Sequence, residues 1–225
     1  MRDFESRRQD MVDTQIARRG VRDRWVLDAL RSVPRERFVP ERLAEFAYED
    51  TPLPIANEQT ISQPYVVGLM AEALELKPRD RVLEIGAGSG YAAAVLGRVA
   101  GEVWAVERHE SLAREAAERL ASLGYGNVHV VWGDGTLGWP EHAPYDAIVV
   151  AAGGPEVPPA LLEQLAPGGR LVIPVGPDPR TQSLVRVRRT EPGIVREDLG
   201  AVRFVPLIGE QGWGEETAGV TARSA

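Results

Sequence analysis

The stretch Glu84-Ile85-Gly86-Ala87-Gly88-Ser89-Gly90 constrains this chain most, because it joins the apolar run Arg81-Val82-Leu83-Glu84-Ile85 directly to a segment of helical composition, Tyr91–Val99. Glycines at such a junction let the backbone turn sharply and let a ligand approach the helix N-terminus closely. The alternation then repeats. Runs at Glu102–Val106, Val128–Trp132 and Ala147–Val150 are separated by helical stretches at Ser111–Leu123 and Pro159–Leu165. Strands alternating with helices predict parallel βαβ units, hence an α/β fold with a doubly wound, mostly parallel sheet and helices on both faces. Gly168-Gly169 leads into Arg170–Val175, which with Ser183–Arg188 is expected to form an antiparallel hairpin at the sheet edge.

Ahead of this core, Met11, Ile16, Val21, Val26, Leu27 and Leu30 recur at loosely helical spacing and predict one or two amphipathic helices. Pro34, Pro40, Pro52, Pro54 and Pro64 then break the chain, and the irregular polar stretch Thr51–Pro64 has the character of a ligand-touching loop. A further helix is expected near Tyr65–Leu76. A chain of 225 residues is long enough to bury one substantial core, or two small ones at most. The expected organisation is a single domain over 1–225: a helical extension and loop over 1–70, a Rossmann-like core over 71–213 and a frayed tail over 214–225.

Composition narrows the chemistry. With no cysteine there is no disulfide framework, no thiolate nucleophile and no Cys-ligated metal. His109, His129 and His142 lack metal-ligand spacing, so no metal is expected. His129 is read as a strand position, Trp104, Trp132 and Trp139 as packing, and Asp146 as a turn residue. A net charge of −7 argues against nucleic acid as a partner. The apolar runs fall short of the roughly 20 residues that span a bilayer, and the polar start Met1–Glu5 lacks a signal-peptide core. The expectation is a soluble cytoplasmic protein with neither nucleic acid nor membrane as partner.

A dinucleotide fold wants G-x-G-x-x-G, but Tyr91 stands where the third glycine belongs, and the spacing is G-x-G-x-G. That disfavours a pyrophosphate. About twenty residues on, Val106 is followed by Glu107, a carboxylate placed to accept hydrogen bonds from ribose hydroxyls. The third strand ends in Gly133-Asp134-Gly135, with a second carboxylate at the same sheet edge and in reach of an adenine amino group. This set suits S-adenosyl-L-methionine better than NAD.

These residues resemble the protein-L-isoaspartate O-methyltransferase family of class I S-adenosylmethionine-dependent enzymes. The likeness runs through Arg37-Phe38-Val39-Pro40-Glu41, Gln59-Thr60-Ile61-Ser62-Gln63-Pro64-Tyr65, Val82–Gly86, Gly133-Asp134-Gly135, Trp139-Pro140, Gly168–Gly176 and Phe204-Val205-Pro206-Leu207. The Thr-Ile-Ser-Gln-Pro-Tyr element is the specific one. The resemblance implies methylation of the α-carboxylate of L-isoaspartyl residues in damaged proteins and peptides, with repair through a succinimide. It implies S-adenosyl-L-homocysteine as the co-product and a monomeric enzyme. It also implies Ser62 as the active-site serine and a cofactor-binding set of Gln59, Thr60, Ile61, Ser62, Glu84, Gly86, Gly88, Glu107, Arg108, Asp134 and Gly135. Within that set Glu107 is the ribose acid and Asp134 with Gly135 the adenine contact. The segment Val205–Gln211 is expected to close over the site.

Two departures from the family pattern stand out: Ala56-Asn57-Glu58 where glycines usually precede Gln59, and Ala151-Ala152-Gly153 where Thr-Ala-Ala is common. The first should stiffen the loop. By local sequence alone Ser62 reads as a turn or N-cap serine ahead of the helix begun by Pro64. A class I methyltransferase acting on a small molecule or RNA, and a non-catalytic binding module on the same fold, are the competing readings. Adenine methylation wants an Asn/Asp-Pro-Pro-Tyr/Phe element, but Ala151-Ala152-Gly153-Gly154 stands there. Pyrimidine C5 methylation wants a cysteine that the chain lacks.

Overall fold

A computed structural model of the chain describes residues 3–216, so most of the expected tail, 217–225, lies outside the described residues. Helix α1 (Phe4–Met11) begins at Asp3, whose carboxylate accepts from the Ser6 N–H at 2.7 Å. It runs on through a π-turn at Val12–Ile16 and a 3-10 turn at Ala17–Arg19, and ends at Gly20 with φ 110°. Helix α2 (Arg24–Ser32) is capped by Asp23, which accepts from the N–H groups of Trp25 and Val26. The apolar positions Met11, Ile16, Val21, Val26 and Leu30 are all buried. The expected helices are present, and α1 starts before the first apolar residue that signalled them.

The Thr51–Pro64 stretch is not wholly irregular. It holds a small antiparallel hairpin, β1 (Leu53–Pro54) with β2 (Thr60–Ile61), in the register Leu53↔Ile61. Helix α3 (Pro64–Ala73) follows, with proline at its first position, where the missing N–H costs nothing.

The sheet is built from β3 (Arg81–Ile85), β4 (Glu102–Glu107), β5 (Val128–Trp132), β6 (Tyr145–Val150), β7 (Leu165–Asp178), β8 (Thr181–Thr190) and β9 (Gly193–Val202). Helices α4 (Tyr91–Gly97), α5 (Glu110–Ser122) and α6 (Pro159–Glu163) lie between its parallel strands. The order is β5-β4-β3-β6-β7-β8-β9, with β5 to β7 parallel and β8 and β9 antiparallel. The chain reverses its direction of travel between β3 and β6, and that switch point is where open α/β sheets hold ligands.

The expected hairpin β7–β8 is present, and the structure adds β9 beyond it. β9 was not legible because it is an edge strand, almost wholly exposed, that carries Arg196, Glu197 and Asp198 instead of an apolar alternation. Asp146 is a correction: it lies within β6, not in a turn, and its carboxylate accepts from the Arg81 N–H at 2.8 Å.

Side chains of successive strand residues go to opposite faces of the sheet. Val82, Val103, Ala147 and Val172 join α2, α3 and α4 in one apolar cluster, while Leu83, Ile85, Ile148, Leu171 and Ile173 join Leu161 and Leu207 in the other. At the amino ends of the strands the buried Arg170 donates to the Leu74 carbonyl at 2.5 Å and pairs with Asp80 at 2.7 Å. Trp104 packs between the rings of His142 and His129, at 3.6 and 4.5 Å, which gives both imidazoles a packing role. Among the described residues no group of three or more His, Cys, Asp or Glu is arranged to hold a metal ion. No described helix is long and apolar enough to cross a membrane.

Candidate active site

The glycine loop sits at the carboxyl end of β3. Gly86 and Gly88 adopt φ of 88° and 54°, the left-handed region that a side chain resists. The Gly86 N–H bonds the Val106 carbonyl at 2.8 Å, tying the loop to β4. Glu107, buried at the end of β4, completes the tie. Its Oε2 accepts from the Gly88 N–H at 2.9 Å and its Oε1 from the His109 N–H at 3.0 Å, which holds loop, strand and the start of α5 together. Each oxygen keeps a further lone pair for a ligand. Arg119 of α5 donates to the Ser89 carbonyl at 2.8 Å.

Beside it lies Glu84, 1% exposed, with Oε2 buried and without a hydrogen-bond partner. Burial first, and the neighbouring Glu107 second, push the Glu84 carboxyl well above the ordinary carboxylate range. Ser89 Oγ and His109 Nε2 are likewise buried without partners. Unpaired polar atoms are costly inside a protein and gather where a ligand satisfies them. The acceptor oxygens grouped at the loop fit the ribose hydroxyls and ammonium of S-adenosyl-L-methionine, and the G-x-G-x-G spacing does not fit a diphosphate.

Asp134, at the end of β5, engages both carboxylate oxygens. Oδ1 accepts from the Thr136 N–H and hydroxyl at 2.8 and 2.7 Å, and Oδ2 from the Glu210 N–H at 2.8 Å. Gly135 has no room for a side chain, since a Cβ there would meet Ile85 Cγ2 at 2.3 Å. The segment Val205–Trp213 crosses these strand ends as a strap. Gly153 exchanges backbone bonds of 2.8 Å with Val205 and Leu207, Thr136 Oγ1 accepts from the Gln211 N–H at 3.0 Å, and Gln211 Oε1 accepts from the Ala160 N–H at 3.0 Å. Arg108, next to Glu107, reaches Glu215 just beyond the strap at 2.9 Å. Thr136 had no signal in the sequence and Gln211 entered only as the end of the segment expected to close over the site, because the bond between them joins positions 75 residues apart.

Ser62 follows β2, half-buried, and its hydroxyl has no partner among the described residues. It is not a helix cap: Gln63 occupies the N-cap position of α3 and makes no side-chain capping bond. The segment is fastened by Asp50, which accepts from Gln63 Nε2 at 2.7 Å and from the Tyr65 N–H at 3.2 Å and also pairs with Arg19. Neither Asp50 nor Arg19 stood out in the sequence. The β1–β2 hairpin packs on the glycine loop, where a Cβ on Gly88 would lie 3.4 Å from Ile55 Cδ1. Gln59 accepts the Ile55 N–H through its carbonyl, Thr60 is exposed and Ile61 is buried against the N-terminal layer. The structure thus brings Gln59, Glu84, Gly86, Gly88, Glu107, Arg108, Asp134 and Gly135 to one edge of the sheet, with the Ser62 segment alongside.

Comparison with known proteins gives a consistent result. The sequence profile of the family described as protein-L-isoaspartate(D-aspartate) O-methyltransferase matches residues 6–212. A protein-L-isoaspartate O-methyltransferase of Rhodopseudomonas palustris is 63% identical over 215 residues, covering 95% of this chain and 99% of the relative. Protein-L-isoaspartate O-methyltransferase 2 of Pelobacter propionicus is 62% identical over 214 residues, covering 95% of each. A solved protein-L-isoaspartate O-methyltransferase superposes with a TM-score of 0.81 at 34% identity, over 91% of this chain and 67% of its own.

Proposed function

Because this chain belongs to the protein-L-isoaspartate(D-aspartate) O-methyltransferase family, we propose that it transfers the methyl group of S-adenosyl-L-methionine to the α-carboxylate of L-isoaspartyl residues in proteins and peptides. The ester so formed closes to a succinimide as the neighbouring amide nitrogen displaces methanol, and hydrolysis of the ring returns part of the material to normal aspartate. A Plasmodium falciparum structure, described as belonging to the same enzyme type and in complex with S-adenosyl-L-homocysteine, is 26% identical with a TM-score of 0.76 and supports the cofactor assignment.

The observation that carries the reading is the pairing of two features at one sheet edge. One is the acidic glycine loop with buried Glu84 and Glu107, and the other is the partnerless hydroxyl of Ser62 on the segment packed beside it. The cofactor supplies an electrophilic methyl group on a sulfonium. The chain's own groups then need only bind and orient. A peptide carboxylate, with a pKa of about 3.5 to 4, is ionised at neutral pH, so no general base is required. That agrees with the packing roles of His129 and His142. Holding the carboxylate in line with the methyl–sulfur bond is a proximity effect that supplies about 7–11 kcal/mol in all. Ser62 contributes to it by donating a hydrogen bond to one oxygen of the substrate carboxylate and turning the other towards the methyl group. Glu107 accepts from the ribose hydroxyls, Gly86 and Gly88 admit the methionine end, and Asp134 with Gly135 borders the adenine. The strap keeps water from the strand ends, where opposite charges cancel as the methyl moves.

The direct test is transfer of labelled methyl from S-adenosyl-L-methionine to paired peptides that differ only in Asp against isoAsp. Label on the isoAsp peptide alone is expected. If calorimetry shows the cofactor bound while neither peptide is labelled, the isoaspartyl reading fails.

A further inference from the structure

Asp134-Gly135 is the one Asp-Gly pair in the chain, which has no Asn-Gly. Asp-Gly is the dipeptide most open to spontaneous isomerisation, because glycine places no side chain in the way of its own amide nitrogen. That nitrogen attacks the carbon of the protonated aspartyl side-chain carboxyl, and the amide proton leaves with the carboxyl's hydroxyl group as water. The resulting five-membered succinimide takes up water at its α-carbonyl and leaves the chain running through the β-carboxyl. This fold cannot remove the hazard by substitution, since any Cβ at position 135 would lie 2.3 Å from the buried Ile85 Cγ2.

We propose that Asp134–Gly135 is a self-damage site and that the Val205–Trp213 strap is the lock that keeps it from isomerising. The attack requires the carboxyl carbon of Asp134 to swing onto the nitrogen of the next residue. Three donors oppose that rotation from two directions: the Thr136 N–H and hydroxyl on Oδ1, at 2.8 and 2.7 Å, and the Glu210 N–H of the strap on Oδ2, at 2.8 Å. The strap also seats tightly, for a Cβ on Gly209 would meet Asp134 Oδ1 at 2.1 Å and one on Gly212 would meet the Leu207 carbonyl at 2.3 Å. Isomerisation would in turn destroy the lock. The carbon that carried both acceptor oxygens becomes a backbone carbonyl, so its bonds to Thr136 and Glu210 are lost. The strap loses its tie to the end of β5 and is held by its remaining bonds to Gly153, Thr136 and Ala160. The product is an isoaspartyl residue with a free α-carboxylate, the class of group that this protein methylates in the reading above. Only that last link rests on the proposed function, because the isomerisation needs no enzyme.

The experiment ages wild type, Thr136→Val, Gly209→Ala and a synthetic peptide spanning residues 130–140. Ageing is at neutral pH and physiological temperature without cofactor, and isoaspartate at position 134 is counted by electron-transfer fragmentation mass spectrometry. Wild type is expected to isomerise at least about 10-fold more slowly than the peptide, the factor that a local opening cost of about 1.4 kcal/mol imposes. The two variants should fall between them. A wild-type rate equal to the peptide's overturns the lock. So do variants that stay folded, exchange their strap amides faster and still age as slowly as wild type. If either variant unfolds, wild type in sub-denaturing urea replaces it, and isomerisation must then rise in step with exchange of the Glu210 amide. Aged Thr136→Val is finally offered to fresh wild type with labelled cofactor. Absence of label on a site known to be isomerised counts against the methyl-transfer reading and leaves the lock standing.

Discussion

Asn57 and Glu58 hold φ of 56° and 57° at the tip of the β1–β2 hairpin, where the family pattern has glycines. A left-handed conformation costs a non-glycine residue about 1–2 kcal/mol. Asn57 offsets part of this through its 2.9 Å bond to Ser111 of α5, whereas Glu58 is exposed. Replacing Glu58 by glycine removes the strain and gives back about 0.5–1 kcal/mol in unfolded-chain entropy. Glu58→Gly should therefore raise stability by up to about 1 kcal/mol, seen as a higher urea midpoint at constant m-value. Ser62→Ala should bind cofactor normally and lower kcat/KM on an isoaspartyl peptide about 10- to 100-fold, the worth of one hydrogen bond to a charged group. Unchanged kcat/KM would remove the assigned role. Glu84 makes a pH prediction. Its folded-state pKa is raised, by burial and then by Glu107, so the folded protein holds this proton more tightly than the unfolded chain does. The resulting stability is fully present below the unfolded value of about 4.3 and is lost as pH rises from there towards the folded pKa. Glu84→Gln should thus gain stability over wild type progressively above that pH, measured as the difference between two urea titrations. The loop glycines, Glu107 and Asp134 were legible because their chemistry is written in spacing, whereas Glu84 entered only through the family likeness. Ser62 and the Val205–Gln211 segment were likewise legible only through that likeness, and Asp50 and Thr136 were not legible because they act on partners remote in the chain.

At the scale of elements, the parallel strands β3 to β6 were readable to within one or two residues, since buried β-branched runs bounded by glycine and charge have few other uses. β7, by contrast, was read as Arg170–Val175 and runs over Leu165–Asp178. β9 escaped because an exposed edge strand needs no apolar face. The β1–β2 hairpin escaped because four paired residues leave no periodicity to detect. The elements are joined at the amino edge by Arg170, which bonds the carbonyls of Leu74, Glu75 and Asp146 as well as Asp80 and so fixes the exit of α3 against β3 and β6. Removing one partner of a buried ion pair costs about 3–5 kcal/mol. Arg170→Met should show a loss of that size in chemical denaturation, and a loss below about 1 kcal/mol would mean that Asp80 finds water instead.

For the whole molecule, one apolar cluster contains Met11 and Leu30 from the N-terminal layer together with Val82 and Ala147 from the sheet, Val172 from β7 and Leu184 from β8. Residues so interleaved should unfold as one unit. Hydrogen exchange of α2 and β3 amides is expected at a common, global free energy, and an N-terminal layer that opens first would contradict it. The strand order has a consequence for synthesis. The chain lays down β3, adds β4 and β5 on one side, and only afterwards supplies β6 for the other. While a ribosome is making residues 102–144, the nascent protein carries β3 with an unpaired apolar edge and an N-terminal layer that still lacks its partners Ala147, Val149, Val172 and Leu184. Such an edge is a template for aggregation. Translation pace across that interval, more than final stability, should govern how much of this protein reaches its native form in a cell.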